Sequence, residues 1–205
     1  MATETHPKRA DADHPILPIL ADRWSPRAWQ DRPVENEKLR SVFEAARWAP
    51  SSMNEQPWRF LVARRHSDSS WNDLLASLHP GNQAWARGAP VLALGITRRT
   101  FTRNDRRNAH ARHDLGLATA TLTAQATALG LHVHPMGGIL PDEARVRFEI
   151  PEAFDVVTGI AIGYVGDPGS LAEKFRDSET EPRSRRPLDG TLFTGRWGEP
   201  SPILG

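Results

Sequence analysis

Two short segments carry paired arginines around a hydroxyl, a set of side chains suited to binding a small dianion. The first is Arg23-Trp24-Ser25-Pro26-Arg27, in which Arg23, Ser25 and Arg27 can be directed at one ligand. This spacing predicts a terminal phosphate as the ligand, although a solvated basic stretch would have the same composition. The second segment, Arg183-Ser184-Arg185, lies near the C-terminus and by itself is typical of a charged tail.

A polar loop is the third segment whose residues could take part in ligand binding or chemistry. It reads Pro50-Ser51-Ser52-Met53-Asn54-Glu55-Gln56-Pro57-Trp58, and the prolines near its two ends limit its flexibility. Its hydroxyl and amide groups either form turns or hydrogen-bond to the polar edge of a flat heteroaromatic ring. The residues alone leave both interpretations open.

The histidines offer a rival chemistry. His110 and His113 are three residues apart, and His132 and His134 alternate, and both spacings suit a pair of metal ligands. No third-ligand pattern accompanies them, so we predict no metal site. His134 precedes Pro135 and is an alternative candidate for lining a ligand pocket.

Composition excludes several classes of function. The chain has 205 residues, no Cys, 26 Lys and Arg against 25 Asp and Glu, and a net charge of +1. Without Cys there is no disulfide, iron–sulfur cluster or thiol nucleophile, so redox chemistry would need a bound cofactor. The near-zero charge argues against nucleic acid as a partner, and no apolar run reaches the ~18 residues of a membrane helix. The polar N-terminus lacks an export signal, which predicts a cytoplasmic protein.

Hydrophobic periodicity predicts alternating helices and strands. We expect helices over 36–48, 69–78, 108–129 and 141–148, and strands over 58–63, 90–97, 131–134 and 156–165, with 90–97 and 156–165 buried at the centre of the sheet. Trp48 and Trp58 are expected to anchor the core. The stripe of small and apolar residues on the long helix fits either the core or a dimer seam. The polar stretches 1–13 and 177–184 are expected to be extended or loosely ordered.

Together these segments resemble the nitroreductase family of FMN-dependent oxidoreductases. The resemblance rests on RWSPR at 23–27, PSSMNEQPW at 50–58, ALGL at 128–131, PMGG at 135–138 and RSR at 183–185, in the family's order. It implies an α+β fold with a central mixed β-sheet wrapped by helices, and a homodimer with FMN at the interface. It divides the chain into a polar N-terminal segment (1–17), an FMN-binding domain (18–190) and a C-terminal extension (191–205).

The resemblance also implies roles for individual residues around the flavin. Arg23, Ser25, Arg27, Arg183 and Arg185 would cradle the FMN phosphate and ribityl chain, with backbone contacts from Trp24. The partner subunit would contribute Pro50, Ser51, Ser52 and Asn54. The turn formed by Pro135, Met136, Gly137 and Gly138 would bring a backbone amide to the flavin N5 region. Asp114 would lie near the ring, and Asn82 would contact the pyrimidine edge. Pro26 departs from the family pattern and removes one backbone donor.

The implied activity is a ping-pong hydride transfer. NADH or NADPH would reduce FMN, and the reduced flavin would pass electrons to a nitroaromatic, a quinone or a similar small-molecule acceptor, with no catalytic side chain required. An FMN-binding or sequestering family member without nicotinamide-driven turnover is the alternative. The sequence does not specify the acceptor or the preferred nicotinamide.

Overall fold

The computed structural model describes residues 8–204 as a succession of helices and strands. The helices are α1 (Pro18–Asp22), α2 (Asn36–Arg47), α3 (Trp71–Ala76), α4 (Pro80–Ala86), α5 (Ala111–Ala128), α6 (Pro141–Arg147) and α7 (Glu173–Thr180). The strands are β1 (Trp58–Arg64), β2 (Val91–Arg98), β3 (His132–Met136) and β4 (Phe154–Gly163). Short 3-10 helices cover Ser52–Asn54, Pro168–Ser170, Leu188–Gly190 and Pro202–Leu204.

The four strands form one sheet in the order β1-β2-β4-β3, and every neighbouring pair is antiparallel. The α+β class and the central position of β2 and β4 are confirmed. The pairing differs from the expected mixed sheet, because β4 lies between β2 and β3. These two strands run in the same direction but are separated by an antiparallel neighbour, so the sheet of residues 8–204 contains no parallel pair.

Helices cover both faces of this sheet, so there is a hydrophobic core on each side. Alternate residues of the central strands contribute to one core or the other. In β2, Leu92 and Leu94 belong to a cluster with residues of α3 and α4, whereas Val91 and Ala93 pack with residues of α2 and α5. Successive strand residues point to opposite faces, which is why an uninterrupted apolar run is required here. The prediction of fully buried central strands is therefore confirmed for β2.

Several sequence expectations are corrected by the structure. Trp58 is buried, but Trp48 is 73% exposed because it follows the last turn of α2, where its ring lies near Arg47 and its Nε1 donates to Glu44. Helix α4 was not expected; it begins at Pro80 with His79 as its cap. Residues 177–180 belong to α7 instead of a loose segment.

Other expectations lie partly outside the described structure. Residues 1–7 of the predicted loose N-terminal stretch fall outside the described residues, and the division of the chain at 17/18 and 190/191 stays a prediction. Within residues 8–204, no helix combines the length and apolarity needed to cross a membrane. The cytoplasmic location also stays a prediction.

Helix α5 packs against α2 and the sheet, and this packing makes a stability prediction. Leu122 is fully buried between α5, α2 and the sheet. Leu122→Ala should lower the free energy of unfolding by about 2–5 kcal/mol, because it removes buried methyl groups and leaves a cavity. Urea denaturation would measure the change. Val146→Ala, at a site that is 80% exposed, is the matched control and should change stability by less than about 0.5 kcal/mol. An equal loss in both variants would contradict this packing.

Candidate functional site

The first arginine segment follows α1 and lies against β3. Burial alternates along it: Trp24 and Pro26 are buried, whereas Arg23, Ser25 and Arg27 are partly exposed. The Trp24 ring meets the His132 ring edge-on at 5.8 Å. The predicted polar side chains therefore stay accessible while the segment is fixed through its intervening residues.

Two side chains from distant parts of the chain hold the backbone of residues 21–28, which we call the cradle segment. Nδ1 of His134, on β3, lies 2.8 Å from the Pro26 carbonyl oxygen. The Glu179 carboxylate, on α7, accepts from the Arg27 amide at 3.0 and 3.1 Å and from the Ala28 amide at 3.1 Å. Glu179 is 2% exposed, and these amides stabilise its charge where water is excluded. Sequence reasoning missed Glu179, because no local motif marks a partner 152 residues away.

Arg183 is a third clamp on the same segment. Its guanidinium donates to the carbonyl oxygens of Ala21 and Arg23, both at 2.5 Å. Its Nε is buried and has no hydrogen-bond partner among residues 8–204. The structure thus gives Arg183 a role in shaping the cradle segment and leaves its buried Nε–H without a partner within the described residues.

Arg23, Arg183 and Arg185 form an arginine cluster whose charges are unfavourable for one another. Burial, followed by the charges of Arg183 and Arg185, holds the pKa of Arg23 below its usual value. Burial and Arg185 likewise lower the pKa of Arg183, with partial compensation from Asp22. Such repulsion is relieved when an anion binds between the guanidinium groups. The cluster therefore fits the predicted phosphate.

The arginine cluster lines a basic pocket of about 520 Å³. Arg186 adds a fourth guanidinium, and Asp11 and Asp13 supply two carboxylates, so positive charge is in excess. Arg27 does not line this pocket. Its guanidinium donates to Ser178 at 2.9 Å and lies over the rings of Trp85 and Phe175. The structure therefore brings Arg23, Arg183 and Arg185 together at this pocket, with Ser25 Oγ accepting from Arg23 at 3.4 Å, and directs Arg27 toward α7.

An apolar pocket of about 470 Å³ adjoins the basic pocket and shares Leu20 and Arg23 with it. Pro135 and Val157 line it from the sheet, and small residues of α5 line it from the helix. The two pockets together provide a cationic end and an apolar body. This combination suits a ligand with a phosphate at one end and a flat ring system at the other.

The predicted turn after β3 leaves its backbone accessible. Asn82 donates from Nδ2 to the Gly138 carbonyl oxygen at 2.9 Å, and a Cβ on Gly138 would lie only 2.6 Å from the same nitrogen. A side chain at position 138 would clash with Asn82, so the turn that Asn82 holds requires glycine there. A Cβ on Gly137 would meet nothing within 4 Å, so open space remains beside this backbone. The preceding Met136 is buried, and its carbonyl oxygen accepts from Thr158 at 3.0 Å.

The polar loop is strained and tied to α5. Met53, Asn54 and Gln56 have φ angles of 55°, 54° and 51°, which non-glycine residues rarely adopt. The Gln56 amide donates to Ser51 Oγ at 3.0 Å, and the Ser52 amide donates to Asp114 at 3.2 Å. Asp114 is 2% exposed, and this hydrogen bond to its buried carboxylate holds the loop against α5.

Residues from this loop lie apart from the arginine cluster within one chain. Neither pocket is lined by Pro50, Ser51, Ser52 or Asn54, and Met53 is 66% exposed. The contribution of these residues to a flavin on the partner subunit stays a prediction. No three His, Asp or Glu residues between positions 8 and 204 are grouped so as to hold a metal ion.

His134 gives the cradle segment a testable pH dependence. Burial, chiefly, and the positive charge of Arg27 and Arg23 lower its pKa to about 4, although carbonyl oxygens of Pro26 and Ser25 oppose the shift. As the pH falls, the unfolded chain binds a proton at this histidine near pH 6.5, whereas the folded chain binds it only near pH 4. The free energy of unfolding therefore falls as the pH falls from 6.5 to 4. His134 alone should lower the free energy of unfolding by about 3 kcal/mol between pH 7 and pH 4.

His134→Asn removes the titrating ring and places an amide donor near the position of Nδ1. Urea denaturation at pH 7 and pH 4 should show a smaller acid loss in His134→Asn than in the unmodified protein, by about 3 kcal/mol. The other ionisable groups are common to both proteins and cancel. Equal losses in the two proteins would show that His134 is not neutral in the folded state.

Comparison with known proteins identifies a family. The model of the nitroreductase family matches residues 20–164. The chain is 32% identical over 149 residues to an uncharacterised 15.4 kDa protein of Mycolicibacterium smegmatis, covering 69% of this chain and 99% of that protein. It is 28% identical over 169 residues to an FMN reductase (NAD(P)H) of Bacillus subtilis, covering 74% of this chain and 66% of the reductase.

Solved structures give the same result. A crystal structure described as an oxidoreductase containing FMN superposes with a TM-score of 0.86 at 37% identity, covering 91% of this chain and 95% of the other. A putative nitroreductase in complex with FMN from Desulfovibrio desulfuricans gives a TM-score of 0.69 at 27% identity, covering 91% and 99%. The fold, the ordered motifs and the family match lead to one conclusion: this chain belongs to the nitroreductase family.

Proposed function

We propose that the protein is an FMN-dependent NAD(P)H oxidoreductase that passes electrons to a small-molecule acceptor such as a nitroaromatic or a quinone. One observation carries the proposal: the arginine cluster has excess positive charge at the entrance to an apolar pocket. FMN has a phosphate at one end and a flat ring system at the other. The relatives described as FMN reductases or FMN complexes support the same cofactor.

Two features of this structure fit a bound FMN. The orphaned Nε of Arg183 offers an unused buried donor beside Arg23 and Arg185. Gly137 leaves its backbone open to a close approach. When bound, FMN would supply the redox chemistry that the side chains themselves lack.

The chain's own residues would bind, orient and shield the cofactor. Arg23 and Arg185 would hold the phosphate, and Arg183 would act both on the phosphate and on the cradle segment. His134 and Glu179 would fix the backbone that presents Arg23. Pro135 and Val157 would exclude water from one wall of the apolar pocket, where electrostatic interactions strengthen as solvent is removed.

We further propose that a second copy of the chain covers the apolar pocket. The exposed side of α5 presents small residues at Gly116 and Ala120, which allow another helix to approach closely. Leu17 and Leu20 beside it are 64% and 47% exposed. Because Asp114 ties the polar loop to the same helix, a partner placed here would bring its loop toward the flavin.

Removing two phosphate ligands tests the cofactor site. Arg23→Ala with Arg185→Ala should give a folded protein that loses FMN on dialysis, since each charge-assisted hydrogen bond contributes about 1.5–3 kcal/mol. Absorbance near 450 nm, read against protein concentration after dialysis, measures occupancy. The matched control is Arg103→Ala with Arg106→Ala, which removes the same charge outside both pockets and should keep FMN. Full occupancy in the cradle variant would refute the assigned phosphate site.

Turnover tests the activity itself. The protein purified without added cofactor should carry about one FMN per chain, the occupancy expected of a preformed pocket. It should oxidise NADH or NADPH and then reduce a nitroaromatic or a quinone. Bound FMN without any nicotinamide oxidation would favour the sequestering alternative. A colourless protein that does not bind added FMN would overturn the proposal.

A further inference from the structure

The residues between β2 and α5 carry an unusual concentration of positive charge. Residues 98–112 contain six arginines and one carboxylate, Asp105, in a chain whose net charge is only +1. Arg98 pairs with Asp105 at 3.1 Å. Asp105 is the only acidic residue between 99 and 112, so five further arginines have no second carboxylate within the segment. Such a concentration favours an anionic ligand at this place in the fold.

Three of these arginines surround a separate pocket, which we call the Arg107 pocket. It measures about 380 Å³, and its lining includes Arg99, Arg107, Arg112, Thr100, Asn108 and Asp155. Asp155 accepts from Arg99 at 2.6 Å and from Arg112 at 3.2 Å. Within residues 8–204, the Arg107 guanidinium has no hydrogen bond or ion pair. Three guanidinium groups therefore face a single carboxylate.

A buried amide provides a second, independent observation. Asn108 is 5% exposed, and its Oδ1 accepts from the His110 amide at 3.0 Å just before α5 begins. Its Nδ2 is buried and lacks a hydrogen-bond partner in the described part of the chain. An unpaired buried donor is costly, and the 18-residue helix α5 adds the positive end of its dipole here. Both features favour an anion that accepts hydrogen bonds.

The Arg107 pocket shares a lining residue with the apolar pocket of the proposed reaction. Arg112 lines both this pocket and the apolar pocket. The arginine cluster at Arg23 lies in the basic pocket and is assigned to the FMN phosphate. A second phosphate-bearing ligand that reaches the same apolar pocket would need its own cationic contacts, and the Arg107 pocket offers them.

We propose that the Arg107 pocket binds a phosphate group of the nicotinamide dinucleotide. The proposal rests on the proposed function, because it identifies where the reductant is held. The pyrophosphate of either dinucleotide and the 2′-phosphate of NADPH share the required chemistry. Arg107 and Asn108 would donate to the phosphate oxygens, with Arg112 between the phosphate and the apolar pocket.

Binding of two probes to the FMN-loaded protein tests this assignment without turnover. Adenosine 2′,5′-bisphosphate reports the 2′-phosphate, and ADP reports the pyrophosphate, both by isothermal titration calorimetry. Arg107→Gln should raise the dissociation constant of at least one probe about tenfold, which corresponds to about 1.4 kcal/mol. Arg106→Gln is the matched control, because it removes the same charge from the neighbouring residue outside the pocket, and it should leave both constants within about twofold.

A second variant separates ligand binding from folding. Asn108→Asp keeps the oxygen that accepts from His110 and replaces the unpaired donor with an acceptor, so it should weaken the same probe while thermal stability is retained. Steady-state kinetics should show the KM for the matching dinucleotide rising in Arg107→Gln. A rise for NADPH alone assigns the 2′-phosphate, and a rise for NADPH and NADH together assigns the pyrophosphate.

Other outcomes would overturn the assignment. If Arg107→Gln behaves like Arg106→Gln in both titrations, the pocket does not bind the dinucleotide. If only the KM of an anionic acceptor rises, the pocket belongs to the second substrate instead. In either case nicotinamide oxidation would continue, whereas failure of the proposed function would abolish it in the unmodified protein as well.

Discussion

Repulsion among Arg23, Arg183 and Arg185 is the constraint on which the site depends. Burial and the charges of Arg183 and Arg185 lower the pKa of Arg23, and burial and Arg185 lower the pKa of Arg183. These like charges would separate if the backbone were free. They stay together because Arg183 is bonded to the carbonyl oxygens of the segment that carries Arg23. The folded chain thus holds like charges together, and an anion bound between them would relieve the repulsion, which is the electrostatic form of preorganisation.

The fold supplies this arrangement from three remote parts of the chain. β3 is an edge strand, so the cradle segment can lie against its outer side. There His134 forms its hydrogen bond with the Pro26 carbonyl oxygen. The chain then returns after β4 through α7, where Glu179 satisfies the amides of Arg27 and Ala28. A buried carboxylate bound by backbone amides is stable only with all its donors in place. The sheet therefore matters to function mainly by fixing the spacing of these contacts.

Local patterns predicted the parts of the structure that depend on local physics. Helices α2 and α5 and the buried strands followed from apolar periodicity, and the arginine segment and polar loop followed from short motifs. Glu179 and α7 were missed because their stabilising contacts lie about 150 residues away along the chain. Spacing and the family resemblance predict Arg27 as a phosphate ligand, whereas in the structure its guanidinium donates to Ser178 and lies over the rings of Trp85 and Phe175. Asp114 acts on the loop backbone, a role that spacing alone does not reveal.

The central claim is that the arginine cluster is built for a phosphate. Titration of the apoprotein with FMN and with riboflavin tests it most directly, because the two ligands differ only in that group. Two or more charge-assisted hydrogen bonds to the phosphate predict that FMN binds about 100-fold more tightly or better. Equal affinity for both flavins, within about threefold, would contradict the account and leave the clustered arginines without their proposed ligand.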